Sequence, residues 1–98
     1  MYQIKFSGRF KKSYKLCIKR GLNTELMSNA LRSLAETGTV PSELLPHSLH
    51  GDYEGCMECH LQPDWLLVWE KHDNELYVMM VTTGSHSDIF GKKRGSVS

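Results

Sequence analysis

This chain should form an α+β domain, with an N-terminal strand and an antiparallel helical hairpin packed on a mostly antiparallel, twisted sheet. Three observations carry that expectation. The chain opens on an alternating segment, "MYQIKF". Two stretches of helical apolar period follow. Three runs rich in β-branched and aromatic residues then occupy the second half, separated by turn-forming residues.

Taken in order, the opening alternation predicts a strand over Tyr2 to Phe6. Ser7 can cap a helix that Gly21 ends. Within it Phe10, Tyr14 and Cys17 stand at i, i+4 and i+7 with Ile18 beside them, while Arg9, Lys11, Lys12, Lys15 and Lys19 fall mostly outside that stripe. Asn23 or Thr24 caps a second helix. Met27, Ala30, Leu31 and Leu34 are its apolar stripe and Gly38 its stop. The short connection between the two helices predicts a hairpin. "TVPSELLPHSLHGD" reads as a loop, and strands are predicted over Tyr53 to Leu61, Trp65 to Lys71 and Leu76 to Thr83, with "QPD" and "HDNE" between them. "TGSHSDIF" closes a single domain at residues 1–90, and "GKKRGSVS", residues 91–98, reads as a basic, flexible tail. The sheet face away from the helices is left open for a ligand.

A length of 98 residues suits one small domain, and an apolar share of 40% suits a modest core. No run approaches the ~18 apolar residues of a membrane span, and the N-terminus lacks the apolar core of a signal peptide. Three cysteines without a secretory address point to a reduced, cytoplasmic chain. Charge is strongly segregated. Residues 1–20 carry seven bases and no acid, residues 21–90 carry two bases and all eleven acids, and the tail carries three bases. A concentrated basic front suits a polyanion, although a solvated helix face has the same appearance.

The pentapeptide "CMECH", residues 56–60, has the Cys-x-x-Cys-His spacing of haem attachment. On a strand, however, residues three apart point to opposite faces, so Cys56 and Cys59 cannot both reach one porphyrin. Cys56, Glu58 and His60 share one face, and Met57, Cys59 and Leu61 the other. Cys59 should pack inward and Cys56 should be partly exposed. No second Cys-x-x-Cys closes a zinc site. Five histidines are present. His72, in an acidic turn, reads as a surface residue, whereas His47, His50, His60 and His86 sit at strand ends and in loops, with Asp64 and Asp88 nearby.

"LPHSLHGDYEG", "ECHLQPDWLLVWE" and "TGSHSDIF" resemble, in order and spacing, segments of the YafQ branch of the RelE-like toxins of bacterial type II toxin–antitoxin pairs. "IKFSGRFKKSYKLCIKRG" resembles the first strand and helix of that branch, so the likeness covers about Tyr2 to Phe90. It implies a RelE-like fold and a ribosome-dependent endoribonuclease that cuts mRNA, with a RelB- or DinJ-like antitoxin held in a hetero-oligomer. The implied catalytic set is His47, His60, Asp64 and His86. Trp65, as a packing wall, and Phe90, as a base stacker, complete the site. Lys11, Lys12 and Lys15 of the basic helix are expected to bind RNA backbone.

The residue types suit that chemistry. When a ribose 2′-OH attacks the adjacent phosphate and expels the 5′-oxygen, one proton must be taken and another given. An imidazole with an unperturbed pKa near ~6.5 can do either at neutral pH. His60 and His86 are expected to share the two roles without metal or other cofactor. His47 is a third participant or phosphate donor, and Asp64 orients an imidazole. Many relatives carry arginines where this chain has Met57 and Thr82. That departure leaves open a non-cutting toxin on the same scaffold, such as a gyrase inhibitor. A zinc site of His47, His50, His60 and His86, with Asp64, is the third reading.

Overall fold

The computed structural model describes residues 1–91, so the predicted tail lies, apart from Gly91, outside the described residues. The elements are β1 (Gln3–Phe6), α1 (Gly8–Lys19), α2 (Thr24–Thr37), β2 (His47–Ser48), β3 (Met57–Gln62), β4 (Trp65–His72), β5 (Tyr77–Gly84) and α3 (His86–Phe90), with single 3-10 turns at Ser42–Leu44 and Gly51–Tyr53. The strands form one sheet in the order β1-β5-β4-β3-β2. β1 runs parallel to β5, and the other pairs are antiparallel. Among the described residues no helix is long and apolar enough to cross a membrane.

Caps explain where the helices start and stop. The Ser7 side chain accepts from the Phe10 amide and Asn23 from the Glu25 amide, which satisfies donors that a first turn leaves free. Gly38 ends α2 in the left-handed conformation, at φ 79°. Both helices bury their apolar stripes on one face of the sheet. Phe10 and Cys17 of α1 and Met27, Ala30 and Leu34 of α2 pack with Cys59, Leu61, Trp65, Leu67, Trp69, Val78 and Met80. α1 is tied to β5 through Ser13, whose hydroxyl accepts from the Thr83 amide at 3.2 Å.

The opposite face carries a smaller apolar cluster of Cys56, Leu66, Val68 and Ile89, flanked by Leu49, Tyr53 and Val81. This cluster corrects two expectations. The third strand starts at Met57 rather than Tyr53, because Gly51 and Gly55 adopt positive φ and turn the chain between them. Cys56 is consequently buried, at 6% exposure, instead of partly exposed. Cys59 packs inward as its place in the alternation requires, and burial pushes its thiol up to about 12. Neither thiol of "CMECH" is free to act as a nucleophile or soft ligand.

Candidate active site

Sheet register assembles the site. His47 on β2 stands opposite Glu58 on β3. Two residues on, at the alternation that returns to the same face, lies His60, opposite Leu66 on β4, which in turn faces Gly84 at the end of β5. His86 follows two residues later as the first residue of α3. Three imidazoles from distant parts of the chain therefore meet on the face away from α1 and α2. The ring centroids of His47 and His60 are 5.9 Å apart and those of His60 and His86 6.0 Å apart. Phe90, one turn along α3, stands 6.4 Å from His86.

Asp64, in the tight β3–β4 turn, reaches across to α3. Its Oδ1 accepts from the His86 amide at 2.9 Å and lies 2.6 Å from His86 Nδ1. The amide bond and then the ring contact hold the Asp64 carboxyl below the usual carboxylate range. An anionic Asp64 can only accept, so Nδ1 is the protonated nitrogen and Nε2 is the one left for chemistry.

Glu58 was not among the expected site residues. It is 3% exposed, with Oε1 3.0 Å from His47 Nε2, and Oε2 finds no partner among the described residues. The other nitrogen of His47, Nδ1, lies 2.9 Å from the Leu45 carbonyl. Both nitrogens thus face acceptors. The ring is thereby held at both nitrogens between the Leu45 carbonyl and the Glu58 carboxyl. The signal was present in the sequence, since Glu58 shares the alternation of His60, but nothing local says that His47 lies opposite it.

Three further expectations change. Trp65 does not line the cleft. It is 1% exposed in the helix-side core, and its indole N–H donates to Thr83 Oγ1 at 2.8 Å, so its part is in packing. The four-histidine zinc set does not assemble, because His50 lines a separate cavity with Arg9, Asp52, Tyr53, Ile89 and Phe90. The ligand atoms that do converge, within 4.8 Å of one another, belong to His47, Glu58 and His60, a donor set that suits a divalent cation. Met57 packs against the helix-side core, whereas Thr82, paired with Val68 on the imidazole-side face, is buried with its hydroxyl 3.4 Å from that of Ser13. Phe90 is 48% exposed, while its neighbour Ile89 closes the apolar cluster. Lys11, Lys12 and Lys15 are exposed on α1, and Lys12 borders a groove with Arg9, Ser13, Leu16 and Thr83.

The family described as bacterial toxin of type II toxin-antitoxin system, YafQ, matches residues 2–91. The chain belongs to the YafQ toxin family. It is 30% identical over 89 residues to the mRNA interferase toxin YafQ of Escherichia coli K12, covering 90% of this chain and 95% of that one. The fold is shared with YafQ in the E. coli DinJ-YafQ complex, with a TM-score of 0.83, 27% identity, and coverage of 93% of this chain and 100% of that one. A metal-bound toxin from Helicobacter pylori is equally similar in structure, at TM-score 0.83 and 33% identity over 92% of this chain and 100% of that one.

Proposed function

We propose that this YafQ-family toxin is an mRNA interferase that cleaves its substrate with paired histidines. The observation that carries the reading is the convergence of His60 and His86, 6.0 Å apart by ring centroid, on one open sheet face. The ribose 2′-oxygen attacks the adjacent phosphorus as one imidazole takes its proton. The bond from phosphorus to the 5′-oxygen breaks, and the second imidazole protonates that leaving oxygen. The products are a 2′,3′-cyclic phosphate and a 5′-hydroxyl. Asp64 fixes the tautomer and direction of His86. His47, held between the Leu45 carbonyl and Glu58, is a third participant or a donor to the phosphate. Phe90 stacks on a base. Lys11, Lys12 and Lys15 meet RNA backbone on the ribosome. The domain spans residues 1–90, works in the cytoplasm where mRNA is translated, and is held inactive in a hetero-oligomer with a DinJ-like antitoxin.

Separate His60→Ala and His86→Ala variants test the scheme. Each should lose on the order of 10²–10⁴-fold in cleavage rate and relieve growth arrest, with an unchanged circular dichroism spectrum. Full toxicity in both variants would remove the mechanism, and arrest with intact mRNA would favour a binding toxin. A divalent ion on His47, Glu58 and His60 would occupy two of the working imidazoles. Zinc added to a cleavage assay should therefore slow it, and EDTA should leave the rate unchanged once ribosome integrity is controlled. A loss of rate with EDTA would overturn the metal-free scheme.

A further inference from the structure

One cavity beside the site is left unused by the proton-transfer scheme. It is bounded by Arg9 from the first turn of α1, by His50, Asp52 and Tyr53 from the β2–β3 connection, and by Ile89 and Phe90 of α3. Its volume is about 300 Å³, at the small end of ligand sites and suited to one nucleoside rather than a peptide. Its wall is rigidly built. The Arg9 guanidinium donates to the Tyr53 hydroxyl and also sits 5.3 Å from the Tyr53 ring centroid. That hydroxyl donates in turn to the Ile89 carbonyl at 3.1 Å, and the Tyr53 ring meets Phe90 edge-on with centroids 5.7 Å apart. α1, the connecting loop and α3 are thereby locked around one opening.

The lining is mixed in a way that matches a nucleobase. It offers an aromatic face at Phe90, donors at Arg9, an acceptor-only carboxylate at Asp52 and an imidazole at His50. A purely anionic ligand would be repelled by Asp52, and an apolar one would strand the charges. Phe90 stands one helical turn from His86, so a base stacked on Phe90 belongs to a nucleotide adjoining the phosphate at His86. We propose that this cavity seats the nucleobase next to the cut, and that Asp52 makes it favour bases with an exocyclic amine over uracil. Adenine, cytosine and guanine can each donate an amine hydrogen to the carboxylate, whereas uracil carries carbonyl oxygens in place of an amine and has only its ring N3–H to donate on that edge.

The inference rests on the nuclease reading, and its test has two arms so that the two can fail separately. In the first arm, cut sites are mapped in a translating extract with wild type and Asp52→Asn. Wild type should disfavour uridine at one fixed position beside the cut by about 5- to 150-fold, the range of one good base contact. Asp52→Asn, whose side chain can also donate, should shift the cuts towards uridine there. An unchanged distribution overturns the proposal. In the second arm, folded wild-type protein is titrated with the four nucleoside 5′-monophosphates and followed by NMR. AMP, CMP and GMP should perturb Tyr53 and Phe90 at lower concentration than UMP. Equal perturbation by all four, or none, overturns the subsite. If wild type cuts nothing while the second arm succeeds, the nuclease reading fails and the nucleotide subsite stands.

Discussion

Asp64 shows how one side chain gives direction to another. It accepts from both the amide and the ring of His86, and a single oxygen makes both contacts. Asn at this position retains an acceptor but loses the charge and can turn its amine towards the ring. Asp64→Asn should lower kcat by less than the roughly 10²–10⁴-fold loss expected for His86→Ala, with KM little changed. Equal kcat in mutant and wild type would mean that Asp64 is only a turn residue. Glu58 acts on His47 in a comparable way but from a buried position, where removal of one partner leaves the other unsatisfied.

At the scale of an element, α3 has only five residues and would not hold its shape alone. It is fixed by a capping box, in which Ser85 accepts from the Asp88 amide and Asp88 accepts from the Ser85 amide. The guanidinium of Arg20, from the end of α1, adds contacts of 2.6 and 3.3 Å to Asp88. Arg20 first, and the Ser85 bonds after it, hold the Asp88 carboxyl down to about 2. Because this value lies below the ordinary 3.8, ionised Asp88 contributes stability that is fully present above pH 3.8 and is lost as the pH falls towards 2. Asp88→Asn should therefore be less stable than wild type at neutral pH, and the gap should close across that acid window. Urea denaturation at a series of pH values checks it, and a gap that persists at pH 2 would refute the linkage. Gly84 belongs to the same device. Its φ is +149°, and a Cβ there would stand 2.8 Å from Asp88 Oδ2 and 2.9 Å from Asp88 Cβ, so the close fold-back of α3 onto β5 requires glycine.

Across the whole molecule, the lysines and the imidazoles occupy different faces. The lysines of α1 lie on the helical side of the sheet and the imidazoles on the other, while Arg9 reaches round to Tyr53. Lys11, Lys12, Lys15 and Lys19 are all exposed and available to a phosphate backbone. If these four neutralise one phosphate each, log affinity for the ribosome should fall against log salt with a slope near about −3, at roughly 0.7 per contact. Replacing Lys11 and Lys12 by alanine should flatten that slope by about 1.4 without changing the rate on saturated ribosomes. An unaltered slope would move the docking surface elsewhere. The acidic middle of the chain supplies Asp64, Glu58 and Asp88, each committed to a partner within the fold.

The family resemblance narrowed four candidate histidines to three, while the limits of α1 and α2, the α+β class and the inward Cys59 were readable in the linear chain itself. They depend on local rules: caps, apolar period, strand alternation and glycine stops. The late start of β3, the short helix α3, the burial of Cys56, and the roles of Glu58, Arg9 and Tyr53 were not readable. Those depend on which residues come to stand opposite one another. A sequence can say that Glu58 and His60 share a face, because alternation is a property of one strand. It cannot say that a two-residue strand at His47 will pair there, or that His50, three residues on, will face another cavity. That choice belongs to register and loop closure, which are fixed only when the whole sheet is buried against its helices.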